Sequence, residues 1–460
     1  MNGQPVGPVG LIGLGTMGRA LVEALARAGF AVHAADPLDP APDAPDGVTV
    51  HAGIGELAAA LQPPRRILTM VTAGDPVDAV IDALKPACAT GDLLIDGGNS
   101  FFRDTVRREA ALASDGIGFL GVGISSGEEG ARNGASVMAG GTDEAFAAAE
   151  DVLTAIAAAH DGAPCCAHVG PGGAGHFVKM VHNGIEYALM QAIAEAHFLL
   201  HAGNGLSHDK VAAIFRDWNE GPLESYLLGI AAAVLETPDP DTGAPLLDRL
   251  DDRAGESGTG RWIVSEAMAL GVPVPSIMEA VAARNISGQS EIRTALREEG
   301  CSGSVIAPDD VRAALTGCTV AAFAQGLSII AAAAARDGWE PDFADIARIW
   351  RKGCIVQGAY LRDIEAAFAR ATGLPHLLMD KKISATVAEA VPGWRATASA
   401  ALSAGLPAPV ISASLGWYDS LRTGRLWTAL VQAQRDYFGR HGLRRTDRAG
   451  VFHADWKKSL

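Results

Sequence analysis

Residues Val9–Asp36 read "VGLIGLGTMGRALVEALARAGFAVHAAD". A short apolar run leads into a glycine-rich turn, a helical pattern follows, and a second apolar run ends on an acid. Gly13, Gly15 and Gly18 allow a tight turn and a close approach of the backbone to a pyrophosphate, whose charge then rests on a helix N-terminus. Gly-rich turns alone are common. Here Asp36 stands 18 residues after Gly18, where a carboxylate accepts hydrogen bonds from adenosine ribose hydroxyls and repels a 2′-phosphate. Pro37 and Leu38 add no positive charge. The stretch therefore predicts a dinucleotide site built from Gly13, Leu14, Gly15, Thr16, Met17, Gly18 and Asp36, with NAD favoured over NADP.

Working outward, the same rhythm continues to about residue 141. "RRILTMV", "DLLIDGG", "GFLGVGI" and "ASVMAGG" are apolar runs, several bounded by Gly or Asp, with helical stretches such as 17–28 and 102–114 between them. That alternation predicts an α/β domain with a parallel, doubly wound Rossmann-type sheet over residues 1–172. After the Gly-rich "VGPGGAGH" at 169–176 the strand signals nearly vanish. An all-α domain is expected over 173–428, followed by a tail over 429–460. "AIAEAHFLLHA" (192–202) resembles "AFAQGLSIIAA" (322–332), and "VAAIFR" (211–216) resembles "IARIWR" (346–351), which suggests an internal duplication of the helical part.

Composition narrows the function. A chain of 460 residues can hold two or three domains. A formal charge of −16 argues against a nucleic-acid partner. The apolar runs are Ala-rich and short or interrupted, so no membrane span is expected, and the N-terminus reads as a first strand instead of a signal peptide. Six cysteines without metal-ligand spacing fit a reducing cytoplasm. "PCCAH" (164–168) is read as buried thiols and not as a metal site.

A second stretch carries chemistry. In "GHFVKMVHNGIEY" (175–187), Lys179, His182, Asn183, Glu186 and Tyr187 stand at offsets 0, 3, 4, 7 and 8. At 100° per residue these side chains fall within an arc of roughly 140° on an otherwise apolar helix. Burial disfavours the lysine cation and the glutamate anion, bringing both pKa values toward neutrality and making a base and an acid available. Two helical turns, about 11 Å, separate the pair, too far for a direct ion pair between straight side chains.

"GAGHFVKMVHNGIEY" resembles the signature of the decarboxylating 6-phosphogluconate dehydrogenases. "IDGGNSFFRDTVRR", "GISSGEEGAR", "GTGRW", "EAVAARNIS", "QAQRDYFGRH" and "GVFHADW" extend the resemblance nearly end to end. The shorter 3-hydroxyisobutyrate dehydrogenases share the glycine loop and an equivalent lysine, but lack the second helical half and "QRDYFG". The resemblance implies that Lys179 is the general base, that Glu186 protonates the product carbon, and that no metal is needed. It places Asn99, Ser125, Ser126, Gly127, His182 and Asn183 on the substrate. Asn99, Glu128, Val71 and Thr72 fall near the cofactor. Tyr187, Arg284 and Arg435 would hold the group on C6, with Ser257, Arg261 and His441 nearby. It also implies a homodimer whose C-terminal segment reaches into the partner's site.

The chain departs from that family at informative places. Gly15 replaces a common Ala, Asp36-Pro37-Leu38 replaces Asn-Arg-Ser/Thr, and Thr72 replaces a Lys; all three agree with NAD. Ser257, beside Glu256, replaces a phosphate-site lysine, and Ser126 replaces a Gly. The substrate expected is a sugar acid with an anion on C6. Either a phosphate, as in 6-phosphogluconate, or a singly charged sulfonate, as in 6-deoxy-6-sulfogluconate, meets that description. A β-hydroxyacid dehydrogenase without decarboxylation and a non-catalytic NAD-binding sensor are the other readings. The first has no need of arginines aimed at a distal anion, and the second has no need of Lys179 and Glu186.

Overall fold

A computed structural model describes residues 6–39, 43–255, 258–296 and 306–456. Eight strands form the main sheet: β1 Val6–Ile12, β2 Phe30–Ala35, β3 Val48–Val50, β4 Arg66–Thr69, β5 Leu93–Asp96, β6 Gly118–Ser125, β7 Ser136–Gly141 and β8 Cys166–Gly170. Their order is β8-β7-β6-β5-β4-β1-β2-β3. The run β3-β2-β1-β4-β5-β6 is parallel, the arrangement that binds dinucleotides beyond the carboxyl ends of its strands. Leu11 and Ile12 are both fully buried but belong to different clusters, as expected for a sheet covered on both faces.

The all-parallel expectation fails at one edge. β7 pairs antiparallel with β6, and β8 runs parallel to β7. Only residues 126–135 join β6 to β7, whereas a parallel crossover needs a dozen or more residues, so the chain turns back.

β8 runs through Pro171-Gly172-Gly173 into the helix Ala174–Phe198, which carries the polar face predicted above. Glycines let this helix lie directly on the sheet. A Cβ on Gly123 would sit 2.3 Å from Lys179 Cβ, and one on Gly175 would sit 2.2 Å from the Gly121 carbonyl oxygen. The other flank of the helix packs on the 30-residue helix Pro308–Asp337. By length and composition that second helix could cross a membrane, contrary to the sequence expectation, because it continues unbroken through Thr319, Gln325 and Ser328. Within the protein 78% of its most apolar window is buried. The resembling segments occupy corresponding places, each spanning the later part of a long helix and the short helix that follows, His208–Asn219 or Phe343–Ile349.

Residues Met1–Ser414 form one compact unit and Leu415–Leu460 a second. In the second, buried Asp436 accepts hydrogen bonds from Gly442 N (2.9 Å), His453 Nδ1 (2.7 Å), Ala454 N (3.2 Å) and Trp456 Nε1 (2.8 Å). One carboxylate thus gathers the helix Thr428–Gly439 and the "FHADW" segment into a single body.

Candidate active site

The glycine loop follows β1 and opens the helix Thr16–Arg27. Gly13 has φ +100°, and a Cβ there would meet the Met70 carbonyl oxygen at 2.4 Å; a Cβ on Gly18 would meet the Gly13 carbonyl oxygen at 1.8 Å. A side chain at either position would force the turn apart, so both must be glycine. Gly15 instead faces open space, with nothing within 4 Å of an added Cβ. The first-turn N–H groups lack acceptors within the helix, so the loop fits a dinucleotide pyrophosphate. Asp36 follows β2 and accepts the Leu14 N–H at 2.7 Å through Oδ2 and the Leu38 N–H at 2.8 Å through Oδ1. Each oxygen keeps a second lone pair for a ribose hydroxyl. Val71 and Thr72 follow β4, and Thr72 is exposed.

Asn99 follows β5 and is exposed, on a loop built over buried charge. Asp96 accepts from Gly98 N at 3.1 Å and Ser100 Oγ at 2.7 Å. Arg108, itself buried, reaches Asp96 at 3.4 Å and binds Asp78 through two nitrogens at 3.0 and 2.9 Å. Sequence reading missed this support; Asp96 and Arg108 lie in "IDGGNSFFRDTVRR" and Asp78 lies before it, and pairing across 12 and 30 residues has no local signature.

A cleft of about 640 Å³ opens where the sheet meets the long helix, and Asn99, Ser126, Lys179, Asn183, Glu186, Tyr187 and Arg284 line it. Met17 of the glycine loop also lines it, and Met70, Ile124, Met190, Gly255, Thr259 and Ile355, which were not expected, complete the wall. Lys179 is buried, with no hydrogen-bond partner among the described residues. Desolvation pulls its ammonium down to a pKa of about 8, with Glu186 acting in the opposite sense. Burial raises the Glu186 carboxyl above its ordinary range, against the pull of Lys179 and Arg284. Ser126 Oγ is buried with no hydrogen-bond partner among the described residues, in a site that a ligand could fill.

His182 and Ser125 sit behind this surface. Both are fully buried, and His182 Nε2 lies 3.2 Å from Ser125 Oγ. His182 Nδ1 is 3.4 Å from Asn183 Oδ1 and 3.9 Å from Glu186 Oε2, with the Trp350 ring edge-on at 5.5 Å. Burial, then the Lys179 charge, holds its pKa well below the usual value, so the imidazole is neutral. The pair lies behind Asn183 and Glu186, and neither Ser125 nor His182, both placed on the substrate by the resemblance, lines the cleft in this structure.

The Arg284 guanidinium lies over the Tyr187 ring, 3.5 Å from its centroid, and donates to the Gly255 carbonyl at 3.1 Å. Gly260 closes on the other side, where an added Cβ would be 2.7 Å from the Tyr187 ring. Arg261, on helix Thr259–Ala269, is exposed and does not line the cleft. Gly127 is the exposed N-cap of the helix Glu128–Asn133. Glu256, Ser257 and the side chain of Glu128 lie outside the described residues. Arg435 and His441 are exposed residues of the C-terminal unit. The paired cysteines of "PCCAH" are buried free thiols, as expected.

Residues 175–456 match the family described as "6-phosphogluconate dehydrogenase, C-terminal domain", and residues 8–170 match the "NAD binding domain of 6-phosphogluconate dehydrogenase". The chain belongs to the 6-phosphogluconate dehydrogenase family. It is 42% identical, over 98% of its length and 99% of the relative, to a Bacillus subtilis protein named "6-phosphogluconate dehydrogenase, NADP(+)-dependent, decarboxylating". A Treponema pallidum decarboxylating 6-phosphogluconate dehydrogenase is 41% identical, with 97% of this chain and 96% of that one covered. The Plasmodium falciparum 6-phosphogluconate dehydrogenase structure superposes with a TM-score of 0.92 at 33% identity, covering 98% of this chain and all of the other. The fold expected for this family, a Rossmann-type domain followed by a large helical one, is the fold observed.

Proposed function

We propose that this protein catalyses the NAD-dependent oxidative decarboxylation of a gluconate bearing an anion at C6, with 6-phospho-D-gluconate giving ribulose 5-phosphate, CO2 and NADH. The observation that carries the reading is the convergence of Lys179, Asn183 and Glu186 in one cleft at the carboxyl ends of β4–β6. The bound dinucleotide supplies the hydride acceptor. Neutral Lys179 takes the proton of the 3-hydroxyl as hydride leaves C3. As an ammonium it then donates to the new C3 carbonyl oxygen, which receives the electron pair when the bond to the carboxyl carbon breaks. Glu186, whose protonated form is favoured by partial burial, delivers its proton to the enediol carbon that becomes C1 of the ketopentose. No step needs a metal, since the ammonium polarises the carbonyl.

NAD, and not the NADP of the Bacillus subtilis relative's name, is supported by Asp36 and by the absence of a cation at Pro37 and at the exposed Leu38. A preference of at least tenfold, about 1.4 kcal/mol, is expected in kcat/KM. Equal efficiencies with the two cofactors would overturn the assignment. A second reading, turnover of 6-deoxy-6-sulfogluconate, is supported by the cations among the described residues lining the cleft, which are Lys179 and Arg284. Side-by-side turnover of the phosphate and the sulfonate decides between them. Exposed Trp427, Leu430 and Phe438 in the C-terminal unit support a homodimer, which sedimentation velocity tests. The reading assigns the enzyme to the cytoplasm, on cysteine usage alone.

A further inference from the structure

Three histidines gather far from the cleft. His197 lies in the last turn of the long site helix, His201 in the π-helical turn Leu199–Gly203, and His208 at the start of the helix His208–Asn219. One ring nitrogen from each lies within 4.8 Å of the others. We propose that His197, His201 and His208 bind one transition-metal ion of the zinc class, separate from the catalytic cleft.

The hydrogen bonds around the cluster fix which nitrogens are free. His201 Nδ1 is 2.7 Å from the Leu206 carbonyl oxygen, and His208 Nε2 is 2.9 Å from Asp248 Oδ1. A carbonyl and a carboxylate can only accept, so His201 carries its proton on Nδ1 and His208 on Nε2. The lone pairs then sit on His201 Nε2 and His208 Nδ1. Metal-binding histidines are oriented in this way, the second ring nitrogen donating to a backbone carbonyl or a carboxylate. His197 Nε2 lies 3.0 Å from His208 Nδ1, close to the roughly 3.3 Å that separates two imidazole nitrogens on one tetrahedral zinc ion. Moving the His197 proton to Nδ1 frees the third lone pair. Asp248 is about half exposed, which leaves an entry path and room for water as the fourth ligand.

The rings now stack, with interplanar angles of 9°, 19° and 17°. An ion must lie in the plane of each ring it binds, so uptake turns the imidazoles about their Cβ–Cγ bonds and ends the stacking. From Glu186 to His197 is about 16 Å along the helix axis, so the ion has no part in the proton transfers. It would instead tie the end of the site helix to the next helix and to the segment Leu246–Arg249.

The test uses tag-free, metal-stripped protein titrated with Zn2+ against a chromophoric chelator. About one ion per chain is expected, with a thermal midpoint that rises with zinc concentration. His201→Gln and the double variant His197→Gln/His208→Gln should each lower the affinity at least tenfold, and Asp248→Ala should lower it 10- to 100-fold. His51→Gln, at the separate His33–His51 pair, should leave it unchanged. Co2+ in place of zinc needs no variant: it should show the intense visible bands of a tetrahedral site. Substoichiometric zinc uptake, an octahedral cobalt spectrum, or unchanged affinity in the double variant would each overturn the proposal.

Discussion

The helix Ala174–Phe198 carries two glutamates nine residues apart, Glu195 buried and Glu186 partly buried, and they differ in what they bind. Glu195 accepts hydrogen bonds from Val410 N (3.0 Å), Ile411 N (2.9 Å) and Gln191 Nε2 (3.1 Å), anchoring the start of the helix Pro409–Arg422. Among the described residues Glu186 has only His182, at 3.9 Å, and it opens on the cleft. Burial raises the pKa of both, that of Glu195 to about 7. A perturbed carboxyl therefore does not mark a site by itself. Hydrogen-bonding capacity left unused and facing a cavity does, and Lys179 meets the same criterion.

That contrast fails first, if it fails, at Lys179. Lys179→Met should lower kcat by about 10³-fold or more, read as loss of NADH formation. The same variant should be more stable at pH 7. The wild-type lysine is depressed from 10.5 to about 8, so its burial costs about 3 kcal/mol below pH 8. The stability advantage of the variant should vanish as pH rises past 10.5, which urea unfolding at several pH values would show. Glu186→Gln should slow turnover about 10- to 100-fold while a single-turnover burst of NADH survives, since hydride transfer precedes its step. It should also move the Lys179 pKa further down, by removing the anion that holds it up; the pH dependence of labelling by a lysine-selective reagent reads that shift. Asp36→Asn should cut the NAD preference by about tenfold, measured as the ratio of kcat/KM values.

Glu195→Gln should leave kcat unchanged and cost about 1–3 kcal/mol of stability, because one backbone N–H then faces an amide NH2. Its pH dependence has a definite sign. A folded pKa raised from 4.5 to about 7 contributes stability fully below 4.5 and loses it as pH rises through 7. The wild-type advantage over the variant should therefore shrink across that window. A large fall in kcat for Glu195→Gln would erase the distinction between the two glutamates.

How much was legible depended on range along the chain. The glycine loop, Asp36 and the helix face are local patterns, and the loop and offsets 0, 4, 7 and 8 of the face stand where the periodicity put them. The antiparallel β7 was missed because strand direction depends on a connection's length, not on the strand's own residues. The roles of Ser125 and His182 could not be separated from those of Asn183 and Ser126, because which side of a polar face meets solvent depends on what packs behind it. Here the Trp350 ring and Ser125 bury the imidazole.

The sequence by itself determined the dinucleotide loop and the helix face that carries Lys179 and Glu186, and its motifs carried the resemblance to the family. Helix and strand periods carry that information within a few turns. The tertiary structure alone decided which buried carboxylate is spent on an anchor, how Arg108 supports Asn99, and that His197, His201 and His208 meet. Those pairings join residues from different elements. They depend on glycines such as Gly121, Gly123 and Gly175, which let a helix settle on a sheet at a distance no periodicity encodes.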